Sequence, residues 1–97
     1  MFDKINALQA QMEEMKTRLA AIHVDGVADG VRVVVDGNKN VISVHISDET
    51  FVDKEQVEEL VVVAMNKAME NAENVNKAEM QSIAGKMMPS FGGLFGK

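Results

Sequence analysis

Apolar positions in this chain follow a helical spacing at both ends and a strand spacing in the middle. Near the N-terminus they recur at steps of 3, 4, 3, 4 and 3, which are the a and d positions of a heptad repeat: Ile5, Leu8, Met12, Met15, Leu19 and Ile22. About two and a half heptads are too few for a free-standing coiled coil. The spacing therefore predicts a helix that packs on another helix.

The middle of the chain consists of β-branched runs separated by short breaks. Residues 31–36 and 41–46 are such runs, joined by Gly37-Asn38-Lys39-Asn40, and this pattern predicts a hairpin. We expect a shorter strand over residues 23–28 to pair with it, because a lone hairpin is marginal in water. The Asp-Gly pairs at positions 25–26, 29–30 and 36–37 are interpreted as turns, since their spacing does not fit a calcium-binding EF-hand loop.

A second helical pattern covers residues 53–86, which corresponds to a rod about 50 Å long. Asp53 followed by Gln56 fits a capping box at its start. Residues 60–65 are apolar on every side of the helix, and a helix of this kind is buried on more than one side.

A small sheet covers only about half of such a helix, so we expect a closed two-fold homodimer. The predicted dimer interface is Leu60, Val61, Ala64, Met65 and Ala68. The polar residues 70–86 are predicted to form a projecting arm. Residues 1–86 are predicted to be a single domain, followed by a flexible tail rich in Gly and Phe over residues 87–97.

Composition narrows the class of protein. The 97 residues carry a net charge of −5 and contain no cysteine. Neither a signal peptide nor an apolar run of the ~20 residues that span a membrane is present, so a cytoplasmic location is expected. His23 and His45 have no partners at metal-ligand spacing, and no nucleophile motif or phosphate-binding loop occurs. We therefore predict no catalysis, cofactor, metal or small-molecule substrate.

The basic residues permit two interpretations. On the first helix Lys4 and Arg18 fall at heptad position g and Lys16 at position e, so all three flank the apolar seam. One interpretation is that they pair with acidic residues on a neighbouring helix, and Glu14 is also placed for an i, i+4 contact with Arg18. The other is a basic margin for a phosphate backbone. The lysines of the second helix do not share one face.

The order of these features resembles a known family. The heptad helix is followed by Val24-x-Gly26, Gly30-x-x-Val33, the turn at Gly37 and Val44-x-Ile46. Next come an acidic linker, the motif Leu60-Val61-x-x-Ala64-x-Asn66-x-Ala68, and a long polar helix with a Met/Gly-rich tail. This arrangement resembles the YbaB/EbfC family of bacterial nucleoid-associated proteins over roughly residues 1–88.

The resemblance implies an α+β fold of the order α-β-β-β-α, with a small three-stranded antiparallel sheet between two long helices. It also implies an intertwined homodimer with projecting helical arms, binding of double-stranded DNA, and a role in nucleoid organisation and gene expression. The DNA-contact candidates that it suggests are Lys4, Lys16, Arg18, Lys77 and Lys86. Because the net charge is negative, weak and mostly non-specific binding is expected.

A different class of function also fits the sequence. The alternative is a helical adaptor that binds another protein, in DNA repair or chaperone work, without binding DNA itself. In that case the acidic surface would repel DNA, and residues 91–97 would carry the contact with the partner.

Overall fold

The computed structural model describes residues 2–50 and 53–87, with side chains for residues 5–50 and 53–85. Its elements are α1 (Phe2–Ala20), β1 (His23–Ala28), β2 (Val31–Asp36), β3 (Val41–Ile46) and α2 (Lys54–Met87). The three strands form one antiparallel sheet in the order β1-β2-β3. The predicted α+β fold and its order of elements are confirmed. The predicted tail lies outside the described residues, apart from Met87 at the end of α2.

The β1–β2 hairpin closes through Asp29 and Gly30. Their φ angles are 41° and 90°, and two successive positive φ values are what a two-residue type I′ turn requires. The Ser47 N–H donates a hydrogen bond of 2.9 Å to the Gly30 carbonyl, which holds the chain after β3 against this turn. The turn predicted at residues 29–30 is therefore confirmed.

The turn predicted at Asp25-Gly26 is wrong, because both residues lie inside β1. Gly26 is needed there for a different reason. The backbone of α2 passes so close that a Cβ atom on Gly26 would overlap the Ala64 carbonyl oxygen and the Ala68 amide nitrogen. A glycine within a strand often marks such a close approach of two backbone segments.

The β2–β3 turn is organised by the buried carboxylate of Asp36. Its Oδ1 accepts hydrogen bonds of 2.9 Å from the backbone amides of Asn38 and Asn40, and its Oδ2 accepts one of 3.1 Å from the Asn40 side chain. Lys39 adopts a φ of 70° in this turn. The Gly37 amide lies 2.9 Å from the Leu19 carbonyl, so the same turn caps the end of α1.

The start of α2 has the predicted cap. The Asp53 carboxylate accepts hydrogen bonds from the amides of Glu55, at 3.1 Å, and Gln56, at 3.4 Å. These amides have no partner within the helix, so the side chain of Asp53 satisfies donors that would otherwise depend on water.

The main core lies between α2 and one face of β1 and β2. Ala64, Ala68 and Ala72 of α2 are fully buried against a layer formed by Ala28, Val31, Val33 and Val35. Small side chains on the helix let it approach the sheet closely. Of β3, Ile46 packs at the edge of this core, whereas Val41, Ile42 and Val44 are 45–48% exposed.

A second core cluster joins the two helices. Met15 and Leu19 of α1 pack with Ile83 of α2, and Ile22 and Val75 lie at the edge of the cluster. Residues 70–86, the predicted arm, do not stand alone: Ala72 and Ile83 in that segment are buried within the chain. The structure has a pair of packed helices extending from the sheet, because α1 needs an apolar partner for its seam.

Candidate nucleic-acid interface

The predicted DNA-contact residues lie on two helices that the fold brings together. Lys16 and Arg18 lie near the end of α1, and Lys77 lies on the part of α2 that continues past the sheet. All three side chains are exposed. Lys4 and Lys86 belong to α1 and α2, but their side chains lie outside the part of the chain that the structure describes. Three of the five candidates can therefore be placed.

Arg18 is held by carboxylates rather than free. Its Nε and Nη2 atoms lie 3.1 and 3.0 Å from one oxygen of Glu79 on α2. Its Nη1 lies 3.9 Å from Glu14, the contact expected from the i, i+4 spacing. For Arg18 the interpretation that seam-flanking cations pair with acids on the neighbouring helix is the one that the structure supports. A phosphate would have to compete with Glu79 for this guanidinium.

Lys39 is a cation at this site that the sequence analysis did not single out. It lies in the β2–β3 turn, and its ammonium forms an ion pair with Glu73 of α2. The hydrogen bond and charge of Lys39, with a smaller contribution from Lys77, lower the pKa of Glu73 below its usual value. Apart from its positive φ, nothing in the local structure distinguishes Lys39. Its contact with α2 arises from the tertiary fold.

The turn that carries Lys39 is fixed to α1. The Asn38 side-chain amide donates a hydrogen bond of 2.9 Å to the Lys16 carbonyl. Burial alone would raise the pKa of Asp36, but the hydrogen bonds from Asn40 and Asn38 outweigh this effect and lower it. Asp36 therefore stays ionised at neutral pH and keeps the turn in place. The turn meets α1 at Lys16 and α2 at Glu73, close to Lys77. We call the three cations around this meeting point the junction surface: Lys16, Lys39 and Lys77. Arg18 lies two residues from Lys16, about 200° around α1, and so flanks the other side of the seam.

Two further cations are engaged elsewhere on the molecule. Arg32 on β2 forms an ion pair with Asp25 on β1, with Nε and Oδ2 2.9 Å apart. The Lys67 ammonium donates a hydrogen bond of 3.2 Å to the Val27 carbonyl. Among the described side chains, the cations with neither an ion pair within 4.0 Å nor a side-chain hydrogen bond are Lys16, Lys54 and Lys77. Two of these three lysines belong to the junction surface.

The predicted dimer residues divide into two groups. Ala64 and Ala68 are fully buried against the sheet of their own chain, whereas Leu60, Val61 and Met65 are half-buried at the edges of that contact. Within the apolar segment 60–65, the most exposed residues are two that were not predicted for the interface: Val62 is 58% and Val63 44% exposed. At 100° per residue these two point away from Ala64 and hence from the sheet.

The described part of the chain offers few other groups that could bind a ligand or react. His23 and His45 are exposed strand residues, and no group of three or more acidic, His or Cys side chains is arranged to hold a metal. Within residues 2–50 and 53–87, neither helix is long and apolar enough to cross a membrane. Exposed cations and exposed apolar side chains are the features that remain to carry a function.

The fold and the junction surface define a small α+β protein whose paired helices present cations. Comparison with known proteins identifies the family. The model of the YbaB/EbfC DNA-binding family matches residues 1–87, and the chain belongs to that family.

Three relatives illustrate the similarity. A nucleoid-associated protein of Flavobacterium johnsoniae is 38% identical over 96 residues, which cover 97% of this chain and 91% of that protein. A nucleoid-associated protein of Caldanaerobacter subterraneus is 34% identical, over 88% of this chain and 80% of the relative. The crystal structure of an uncharacterized protein from Helicobacter pylori superposes with a TM-score of 0.76 and 16% identity, over 84% of this chain and 89% of that one. The last similarity concerns the fold alone.

Proposed function

We propose that this protein binds double-stranded DNA in the bacterial nucleoid, as a homodimer and without catalysis. Membership of a DNA-binding family supports this proposal, and several relatives are described as nucleoid-associated. Binding of this kind implies a cytoplasmic location and a role in nucleoid organisation and gene regulation.

The observation that carries the proposal is the junction surface. α1, the β2–β3 turn and α2 bring Lys16, Lys39 and Lys77 to one region, although the chain as a whole is acidic. Local placement of cations can outweigh net charge in attracting a polyanion. Lys4 and Lys86 remain in the proposal as further cations on the same helices.

The proposed DNA contact is weak and mostly independent of sequence. Phosphate contacts by Lys and Arg supply non-specific affinity and make it dependent on salt. Arg18 and Lys39 already pair with the carboxylates of Glu79 and Glu73. A phosphate would have to displace these carboxylates, which reduces the net gain from each such contact. Neither Trp nor Tyr is present for base stacking.

Fluorescence anisotropy with a labelled duplex at low salt tests this proposal. The triple variant Lys16→Gln/Lys39→Gln/Lys77→Gln should bind at least about tenfold more weakly than the native protein. A matched control is Arg32→Gln/Lys54→Gln/Lys67→Gln, which removes the same charge from exposed cations outside the junction surface. Equal losses in the two triple variants would refute this location for the DNA contact. Absence of binding to any duplex up to tens of micromolar would refute DNA binding itself.

The proposed homodimer rests on apolar surface that the described part of the chain leaves uncovered. Val62 and Val63 point away from the chain's own sheet, and the edge strand β3 exposes Val41, Ile42 and Val44. Exposed apolar residues together with an unpaired strand edge are typical of an interface between chains. Half-buried Leu60, Val61 and Met65 lie beside this surface, and a partner that covers it would complete their burial. For Ala64 and Ala68 the partner's contribution would be indirect, through support of α2.

Sedimentation velocity measures the oligomeric state. Val62→Lys/Val63→Lys should shift the protein toward monomer at micromolar concentration, because two charges would have to be buried in the interface. Val27→Lys is the control, since Val27 is 50% exposed on the face of β1 opposite to α2. A dimer that survives the first substitution would remove these residues from the interface.

A protein-binding adaptor is the second candidate. The pairing of Arg18, Arg32 and Lys39 with carboxylates favours it, as does the net charge of −5. The two candidates separate if residues 91–97 are deleted. The adaptor hypothesis expects loss of the protein partner with unchanged DNA affinity.

A further inference from the structure

The N-terminal half of α1 exposes an apolar stripe that no described residue of the chain covers. Ile5, Leu8 and Met12 are 49%, 47% and 37% exposed. They continue the heptad positions of Met15 and Leu19, which are only 7% and 0% exposed. One face of α1 is therefore covered over its second half and uncovered over its first. We call Ile5, Leu8 and Met12 the N-terminal seam.

The second helix runs antiparallel to α1 along this face and ends before it reaches the seam. Arg18 pairs with Glu79, and Met15 packs with Ile83. A step of four residues toward the C-terminus of α2 therefore matches a step of about three residues toward the N-terminus of α1. On this register, the end of α2 at Met87 lies level with about residue 12 of α1. The axis of α2 at Met87 therefore points along α1 toward the seam.

Residues 88–97 have the composition and the length to cover the seam. They include four large apolar residues among glycines and only one charged side chain: Met88, Phe91, Leu94 and Phe95, with Lys97. The seam is about 10 Å long on a helix, and ten residues can extend over about 33 Å.

We propose that residues 88–97 lie along α1 of the same chain and bury the N-terminal seam. Pro89 disfavours a helical conformation at Met88, which ends α2 at the level where the seam begins. Gly92, Gly93 and Gly96 allow the chain to follow the surface of α1 closely. This contact completes the apolar face of α1 along its length.

The position of the seam favours this occupant over a second copy of the chain. The surfaces proposed for the homodimer are β3 and the outer face of α2 at Val62 and Val63. Ile83, which marks the covered end of the seam, lies twenty residues further along α2 than Val63, a distance of about 30 Å. The proposed tail contact is independent of DNA binding, and it requires no partner.

Hydrogen exchange of the full chain tests the contact. In Phe91→Ser/Phe95→Ser the amides of residues 5–12 should exchange at least about tenfold faster than in the native protein, whereas those of β2 should be unchanged. The control Phe91→Leu/Phe95→Leu keeps apolar side chains and should preserve protection. Unchanged exchange of residues 5–12 in the serine variant would overturn the proposal.

Cross-linking distinguishes the same chain from a second copy. The native chain contains no cysteine, so Gln9→Cys and Gly93→Cys can be introduced without interference. The double variant, oxidised at low concentration, should form a disulfide within one chain. If a mixture of the two single variants cross-links as readily between chains, and the double variant forms no internal disulfide, the seam binds the tail of a second copy and the proposal fails.

Discussion

Arg18 of α1 donates two hydrogen bonds, of 3.0 and 3.1 Å, to a single carboxylate oxygen of Glu79 on α2. The two residues are 61 positions apart, and their ion pair lies beside the cluster of Met15, Leu19 and Ile83. The pair therefore acts in two ways. It helps to hold the helices together, and it occupies a guanidinium that a DNA phosphate would otherwise contact.

Glu79→Gln should separate these two effects. Loss of the ion pair should cost about 0.5 kcal/mol of unfolding free energy, because the Arg18 side chain is 43% exposed and solvent screens the pair. Release of Arg18 should at the same time increase DNA affinity. Urea unfolding measures the first effect and anisotropy the second. Glu59→Gln is the control, since it makes the same change in charge on an exposed part of α2. A larger gain in affinity from Glu59→Gln would contradict the role given to Arg18.

Gly26→Ala should be strongly destabilising. A Cβ atom there would overlap the backbone of α2 at Ala64 and Ala68, and neither backbone can move without separating the helix from the sheet. We expect a loss of about 2–3 kcal/mol in denaturant unfolding. Gly85→Ala is the opposite case. Its Cβ would meet nothing within 4 Å, and the residue lies in α2, so the helix should gain about 0.5–1 kcal/mol. Similar effects at the two glycines would disprove the close approach.

Asp36 should make stability depend on pH in the acidic range. Its pKa in the folded protein is lowered, because hydrogen bonds from Asn40 and Asn38 to the carboxylate outweigh the effect of burial. The ionised group therefore stabilises the fold above its unfolded pKa of about 3.9, and this contribution is lost as the pH falls through the lower folded pKa. Asp36→Asn should be less stable than the native protein at pH 7, and the difference should shrink below about pH 4. Thermal unfolding at a series of pH values measures it; a constant difference would contradict this account.

Lys16→Gln should reduce the salt dependence of DNA binding. Each phosphate contact contributes about 0.9 to the slope of log K against log salt, so a homodimer that loses one contact per chain should lose about 1.8. Lys16 suits this test because its side chain forms no ion pair among the described residues. Titrations from 50 to 200 mM salt provide the slope. Lys54→Gln should leave the slope unchanged, and equal slopes for all three proteins would exclude Lys16 as a contact.

The elements themselves were predictable because their signals are local. Heptad spacing, β-branched runs and the Asp53 cap each depend on residues within a few positions of one another, and every element was found where the sequence placed it. The family resemblance was also confirmed by a match over residues 1–87. By contrast, Asp25-Gly26 was misinterpreted because an Asp-Gly pair looks the same whether it forms a turn or lies beneath a helix.

The candidate site was only partly predictable. The heptad positions and the family resemblance indicate Lys16 and Arg18, and the resemblance alone indicates Lys77. Lys39 is not indicated, because nothing near it in sequence shows that the β2–β3 turn meets α2 at Glu73. The residues through which α1 packs on the end of α2 are not evident from the sequence for the same reason. Polar residues dominate the end of α2, and the single buried Ile83 that contacts α1 is not conspicuous among them.

The sequence by itself determined the order of the elements and the turn at Asp29-Gly30, since short-range propensity and capping specify them. The order and spacing of its motifs also indicated the family. Only the tertiary structure decided which cations pair with which carboxylates and which apolar residues remain exposed. Those outcomes depend on contacts between residues as far apart as Arg18 and Glu79, and such contacts follow from how α2 packs on the sheet and on α1.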